Sequence, residues 1–313
     1  MRSRHMQGLF AVVLLAAGVG CGPVEEPDAE EVGAVDSVEM EKQTGNGLSF
    51  NGLSFNGLSQ NGLSFNGLSF NGLSSSGLSA AQFGTWFQSN PALADMVMRY
   101  IVRCAVPAGE VRSYTDPRKG RTYTWDGLLG LAPDWANGHQ ATTAEQQVVS
   151  ACLAAHTNKR GISMAISVLG QNSRGQPIPS SFEELVDFPE QEACFFGNLF
   201  TGQGVYVGSD QGLLTGRRSS LRECALSPGP LQMEDNCPPM VPVGNCELTC
   251  DLRLLSPYYG YCYHNGIRYR ALTTRMRSSD VFQCGDGKCQ PTESCGLGVS
   301  YRDCLLDCGL CGG

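Results

Sequence analysis

The sequence predicts an α+β fold: one small mixed domain with disulfides, followed by short cysteine-rich modules of β and irregular structure. Three observations carry this reading. Helical periodicity is confined to a few stretches, and short strands are scattered after them with no regular βαβ alternation. The 313 residues include 15 cysteines, a density suited to an oxidising compartment. Hydrophobic residues make up 42% and charged residues 17%, so most of the chain can contribute to a core.

The elements follow in order. Asn90-Pro91 reads as an N-cap with proline in the first turn. Leu93, Met96, Val97, Tyr100, Ile101 and Cys104 then form a helical stripe that Pro107 and Gly109 end. Two strands, 110–115 and 121–125, flank the turn Asp116-Pro117-Arg118-Lys119-Gly120. Thr142-x-x-Glu145 is a capping box before a second helix, closed by Lys159, Arg160 and Gly161. Residues 162–169 read as a strand, and Ser181 with Glu183 and Glu184 opens a short third helix. Further strands are expected at 195–200 and 205–207. A hairpin joins 258–263 to 267–274 through a type I′ turn at Asn265-Gly266.

The N-terminus has a basic start, Arg2 and Arg4, and an apolar run from Leu9 to Val19. The run is too short to span a bilayer as a mature helix. It ends in Ala17-Gly18-Val19-Gly20-Cys21, which resembles the lipobox of bacterial lipoproteins. The resemblance implies a signal peptide over 1–20 and lipid attachment at Cys21. Gly22, where Asp would favour inner-membrane retention, points to the outer membrane or cell surface. An ordinary signal peptide or a buried N-terminal helix are the alternatives. With Cys21 set aside, 14 cysteines remain, an even number.

Residues 21–45 read as an acidic tether, with eight carboxylates against Lys42. Much of the chain's net charge of −8 therefore belongs to the tether. Residues 81–313 are near balance, with 22 acidic against 19 basic side chains, and nucleic acid is not an expected partner. Residues 46–80 repeat every five residues as NGLSF and close variants. That period matches neither helix nor strand. The segment resembles the pentapeptide-repeat family, which implies a short square β-solenoid. A Gly/Asn/Ser stalk without regular order is the competing reading.

The remaining cysteines fall into three even sets. Cys104, Cys152, Cys194 and Cys224 belong to the domain 81–230. Cys237, Cys246, Cys250 and Cys262 belong to a hairpin module, 231–282. Cys284, Cys289, Cys295, Cys304, Cys308 and Cys311 belong to a terminal module, 283–313. Pairing within each set is expected, with Cys104–Cys152 and Cys194–Cys224 in the first, although four cysteines allow three pairings. The strings MRYIVRCAVPAG (98–109), LLGLAPDW (128–135), VSACLAAH (149–156) and FFGNLF (195–200) resemble an uncharacterised domain of cysteine-rich lipoproteins from Gram-negative soil bacteria. That resemblance implies no activity. The run Cys284-Gly-Asp-Gly-Lys-Cys289 through Glu293, Cys295, Cys304, Asp307, Cys308 and Cys311 resembles short modules at the ends of secreted bacterial proteins.

Catalytic motifs such as G-x-S-x-G, H-E-x-x-H and the P-loop are missing from the sequence. Cys152 and His156, four residues apart on one helix, are the sharpest candidate for a nucleophile or metal half-site. The plainer reading is a disulfide-bonded Cys152 and a protonated His156 suited to a helix C-terminus. His139 and His264 fall in loops. Trp86, Trp125 and Trp135 suit a glycan surface, with core packing expected for at least two of them. Cys308-x-x-Cys311 is half of a zinc ribbon without its other half, and Asp286, Glu293, Asp303 and Asp307 lack EF-hand spacing. No catalytic residue, metal or cofactor is assigned. The expected function is that of a lipid-anchored cell-envelope protein with a structural, adhesive or ligand-binding role. Its expected partners are the membrane, through the lipid, and a glycan or protein ligand. An envelope hydrolase whose residues converge only in the fold is the alternative.

Overall fold

The computed structural model describes the backbone of residues 48–51 and residues 67–157, 163–210, 218–222, 225, 238–251, 255–297 and 303–311. All lie within one compact unit, Gln43–Gly313. The signal peptide, Cys21, the tether, Cys224, Cys237 and most of the pentads lie outside the described residues. Among the described residues, no helix is long and apolar enough to cross a membrane.

In chain order the elements begin with β1 (Leu48–Asn51), the one-turn helices α1 (Leu68–Asn71) and α2 (Ser75–Leu78), α3 (Ala81–Ser89) and α4 (Pro91–Ala105). There follow β2 (Val111–Thr115), β3 (Thr122–Asp126), α5 (Pro133–Ala136), α6 (Thr143–Ala155), β4 (Met164–Gly170) and α7 (Phe182–Asp187). The second half holds β5 (Glu190–Asn198), β6 (Gly204–Ser209), β7 (Arg218–Ser219), β8 (Met240–Asn245) and α8 (Cys246–Thr249). The hairpin β9 (Tyr261–His264) and β10 (Ile267–Met276), then β11 (Phe282–Gln283) and α9 (Leu305–Cys308), complete the chain. The α+β class holds.

Local signals account for most of these elements. The Asn90 side chain accepts from Leu93 N at 3.2 Å, capping α4. Thr142 and Glu145 form the reciprocal capping box at the start of α6. Ser181 caps α7 through Glu184 N. Asn265 and Gly266 have φ of 49° and 74°, the left-handed pair a type I′ turn requires. Helix α6 stops at Ala155, before the expected basic residues.

The main sheet runs β1-β4-β10-β5-β6-β8, with β9 branching from β10. One face packs on α6, which in turn packs on α4, through Ile166, Val168, Phe195, Val205, Val207 and Leu272. The opposite face carries Phe196, Tyr206, Tyr269, Tyr259 and the Cys194–Cys246 and Cys250–Cys262 disulfides. Strand β10 lies between β4 and β5, in the middle of the sheet. Strands β8, β9 and β10, which the sequence reading puts in a separate hairpin module over 231–282, therefore belong to the main sheet. The reason is composition: Ala271, Leu272, Thr273 and Thr274 are almost wholly buried, as an internal strand demands.

The core also extends N-terminally past residue 81. Leu68, Leu73 and Leu78, one from each of the last three pentads, are buried in the helix-side core. For residues 67–80 this replaces both the stalk and the solenoid. A five-residue period fits because two single turns are broken at Gly72. Gly72 has φ of 72°, and a Cβ there would stand 2.3 Å from Gly138 Cα, so only glycine allows the approach. Trp135 Nε1 donates to Leu68 O at 2.6 Å, and Leu73 N donates to Trp135 O at 2.9 Å.

Candidate functional site

The expected Cys104–Cys152 bridge forms, joining α4 to α6. It removes the thiolate a catalytic Cys152 would need. His156 sits against it: Nδ1 is 3.5 Å from Cys152 Sγ and 2.8 Å from Cys152 O, to which it donates. The ring is fully buried, beside Tyr100. Burial first, and then the nearby Arg103 charge, lower its pKa from 6.5 to about 3. His156 is therefore neutral at ordinary pH. The expectation of a protonated histidine serving the helix dipole is corrected, because the helix end lies inside the core.

Cys194 is bonded to Cys246, not to Cys224. This bridge links two of the expected sets, so pairing is not confined to each set. Parallel pairing of β6 with β8 explains it, since Cys246 follows β8 directly and lands beside β5. Gly208 on β6 makes room: a Cβ there would lie 2.8 Å from Cys194 Sγ. Cys250–Cys262 closes within the second set. The terminal set pairs internally, as Cys284–Cys304, Cys289–Cys308 and Cys295–Cys311.

Two of the three tryptophans are core residues. Trp125 is buried and donates to Asp95 at 2.6 Å; Trp135 is buried against Phe200. Trp86 is partly buried beside Phe83 and Phe87. His139 is exposed, away from His156's enclosed position. A cleft of about 490 Å³ between α2, α3 and the β2–β3 hairpin is lined by hydroxyls, including Ser75, Ser79, Thr85 and Ser113. None of the histidines lines it.

The aromatic surface lies instead on the β9–β10 hairpin. The Arg268 guanidinium carbon is 3.6 Å from the Tyr261 ring centre, with Arg270 at 5.4 Å. Arg268 also reaches Asp251 at 3.4 Å. His264 stacks on Tyr206, centroids 4.0 Å apart, while Tyr263 and Ile267 point to solvent. Tyrosine rings beside guanidinium groups suit recognition of a polar ligand with an apolar face, as planar and cationic groups can stack and hydrogen-bond together. Sequence reading placed the hairpin but passed over this alternation of Tyr and Arg.

The acidic residues of the terminal module are engaged with their own loop. The Asp307 carboxylate accepts from the N–H groups of Gly285, Asp286 and Gly287 at 2.5, 3.3 and 2.9 Å. The first of these bonds holds its pKa below the usual carboxylate value. Asp286 accepts from Lys288 N and Gln290 Nε2, Asp303 from Ser294 Oγ, and Glu293 from Gln290 N. Burial raises the Glu293 pKa. The carboxylates thus serve as loop staples and not as freely solvated groups.

Sequence reasoning also missed a buried ion pair. Arg222 and Glu192 are both almost wholly buried, and Arg222 Nη2 donates to Glu192 Oε2 at 3.2 Å while Nη1 donates to Thr157 O at 2.9 Å. Nothing in the local sequence marks two residues thirty positions apart as partners. No protein-family model matches the chain, and no curated protein or solved structure matches it either.

Proposed function

We propose that the protein is a lipid-anchored cell-envelope protein whose disulfide-stapled body performs a structural, adhesive or ligand-binding task. The observation that carries this reading is the set of six disulfides among the described residues, which tie α4 to α6, β5 to the start of α8, the end of α8 to β9, and the terminal module to itself. Bridges at this density require export to an oxidising compartment. The lipobox-like run ending at Cys21 supplies the route and the anchor. Each buried acyl methylene contributes about 0.8 kcal/mol, so several chains on Cys21 hold the protein at a membrane. The hairpin surface around Tyr261 and Arg268 is the face offered for ligand.

Membrane fractionation with acyl-chain labelling tests the reading. The wild-type chain should partition with membranes and take up labelled fatty acid. Cys21→Ser should lose the label and appear in the soluble fraction. Continued membrane partition of that variant, or free thiols throughout the exported chain, would refute it.

A further inference from the structure

Residues Leu48–Asn51 and Leu68–Asn71 share the sequence Leu-Ser-Phe-Asn and take opposite conformations. The first is strand β1, antiparallel to β4 with Leu48 opposite Ser167 and Asn51 opposite Met164. The second is the helical turn α1, held by Trp135. Identical sequences cannot choose between these states, so their surroundings choose: the edge of β4 imposes a strand, and the core imposes a turn. Strand β4 has a strong reason to recruit a partner. All seven of its residues are buried and β10 covers its inner edge only. Uncovered, the outer edge would offer a row of unpaired N–H and C=O groups, the kind of edge that captures strands from other chains.

The chain carries two more copies of the same string, Leu53–Asn56 and Leu63–Asn66. If Leu53–Asn56 took the place of β1, residues 57–66 would remain to reach Gly67. Those ten residues span at most about 33–36 Å. If Leu63–Asn66 took it, no connecting residue would remain before Gly67 and α1. The repeat thus supplies more edge-fitting units than one molecule has edges. Since strand addition is made mainly through backbone hydrogen bonds, a unit from another molecule meets the same requirements as β1.

We propose that the outer edge of β4 is a receptor for Leu-Ser-Phe-Asn units, and that copies of this chain link to one another by strand exchange. A spare pentad of one molecule occupies the β4 edge of a second. The link needs no lipid, although anchoring copies on one surface would raise their effective concentration. A membrane-independent test therefore separates it from the anchor reading.

The test uses the full chain carrying Cys21→Ser. Sedimentation should show association that rises with concentration. Ser54→Pro with Phe55→Pro, and Ser64→Pro with Phe65→Pro, together leave β1 intact and spoil both spare units, because one of two adjacent N–H groups must face β4 and proline cannot donate it. This variant should remain monomeric at concentrations where the parent associates. Deleting residues 46–65 empties the edge; that chain should bind the peptide NGLSFNGLSF with saturation, and exchange at the Met164–Gly170 amides should slow on binding. The same peptide with each Ser-Phe pair replaced by Pro-Pro should not bind. Unchanged association of the chain with proline pairs would overturn the proposal, as would a monomeric parent chain. Absence of peptide binding by a deletion chain that retains its disulfides would also overturn it. If the deletion chain does not fold, the sedimentation comparison alone decides.

Discussion

Cys250 Sγ lies 3.5 Å from Cys194 Sγ, although each sulfur is bonded elsewhere. Two bridges are thus stacked on one face of the sheet, beneath α8 and beside Gly208. A free thiolate on either would be within reach of the other bridge. Cys246→Ser creates that thiolate at Cys194. It should attack Cys250, form Cys194–Cys250 and release Cys262 as the thiolate, leaving the thiol count unchanged. Non-reducing peptide mapping should recover Cys194 joined to Cys250. Recovery of intact Cys250–Cys262 with Cys194 free would count against the exchange.

What the sequence made legible was local. Asn90, Thr142 and Ser181 capped the expected helices because a cap is decided within four residues. Asn265-Gly266 made the expected hairpin for the same reason. Cys104 and Cys152 paired as expected because the two longest helices pack on each other. The misjudged features were settled by distant partners. Cys194 found Cys246 through the parallel β6–β8 pairing, and β10 entered the sheet between two earlier strands. The pentad leucines looked like repeat units and became core residues, because Trp135 and Gly138 form their seat. Of the candidate site, the disulfide state of Cys152 was foreseeable, whereas the neutrality of His156 depended on packing no spacing rule reveals.

The Glu192–Arg222 pair should be costly to break from one side. Both charges are out of water, and each satisfies the other. Arg222→Met strands the Glu192 carboxylate and leaves Thr157 O without this donor, so it should destabilise the fold by about 3–5 kcal/mol. Replacing both partners, Glu192→Leu with Arg222→Met, removes the stranded charge and should recover much of the loss. Urea unfolding of the oxidised chains measures both. A single variant within about 0.5 kcal/mol of wild type would be incompatible with the buried pair.

His156 makes stability depend on pH with a definite sign. Its folded pKa lies near 3, below the ordinary 6.5. Below 6.5 the unfolded chain takes up a proton that the folded chain refuses, so stability is present above that pH and falls as pH drops toward 3. The slope approaches about 1.4 kcal/mol per pH unit at full effect. Carboxylates titrate over part of the same range, so the informative quantity is the difference between wild type and His156→Gln. That difference should shrink steadily from pH 6.5 to pH 4; a constant difference would show that His156 does not titrate as its burial requires.

Glu145 should tolerate its amide poorly. Oε1 accepts from Asp134 N at 2.8 Å and Trp135 N at 3.1 Å, while Oε2 accepts from Thr142 N and Thr142 Oγ1. All four partners are donors, and the residue is fully buried. In Glu145→Gln one oxygen becomes an NH₂ group facing donors it cannot satisfy. The expected cost is about 1–3 kcal/mol, measured by denaturant unfolding. A neutral result would mean that the carboxylate is not the hub of this corner.

Asp307 ties the start of the terminal module to its end through the three N–H bonds at Gly285, Asp286 and Gly287. Asp307→Ala should leave the three local disulfides in place, because they are formed by other residues. It should nevertheless speed hydrogen exchange at those three amides, since their shared acceptor is gone. The carboxyl's pKa is lowered by these bonds, so protection is present above the ordinary carboxylate value and is lost as pH falls through the lowered one. EDTA should leave the melting temperature unchanged, because these carboxylate oxygens already hold the loop. A downward shift with EDTA, restored by Ca²⁺, would instead assign Asp307 and its neighbours to a cation.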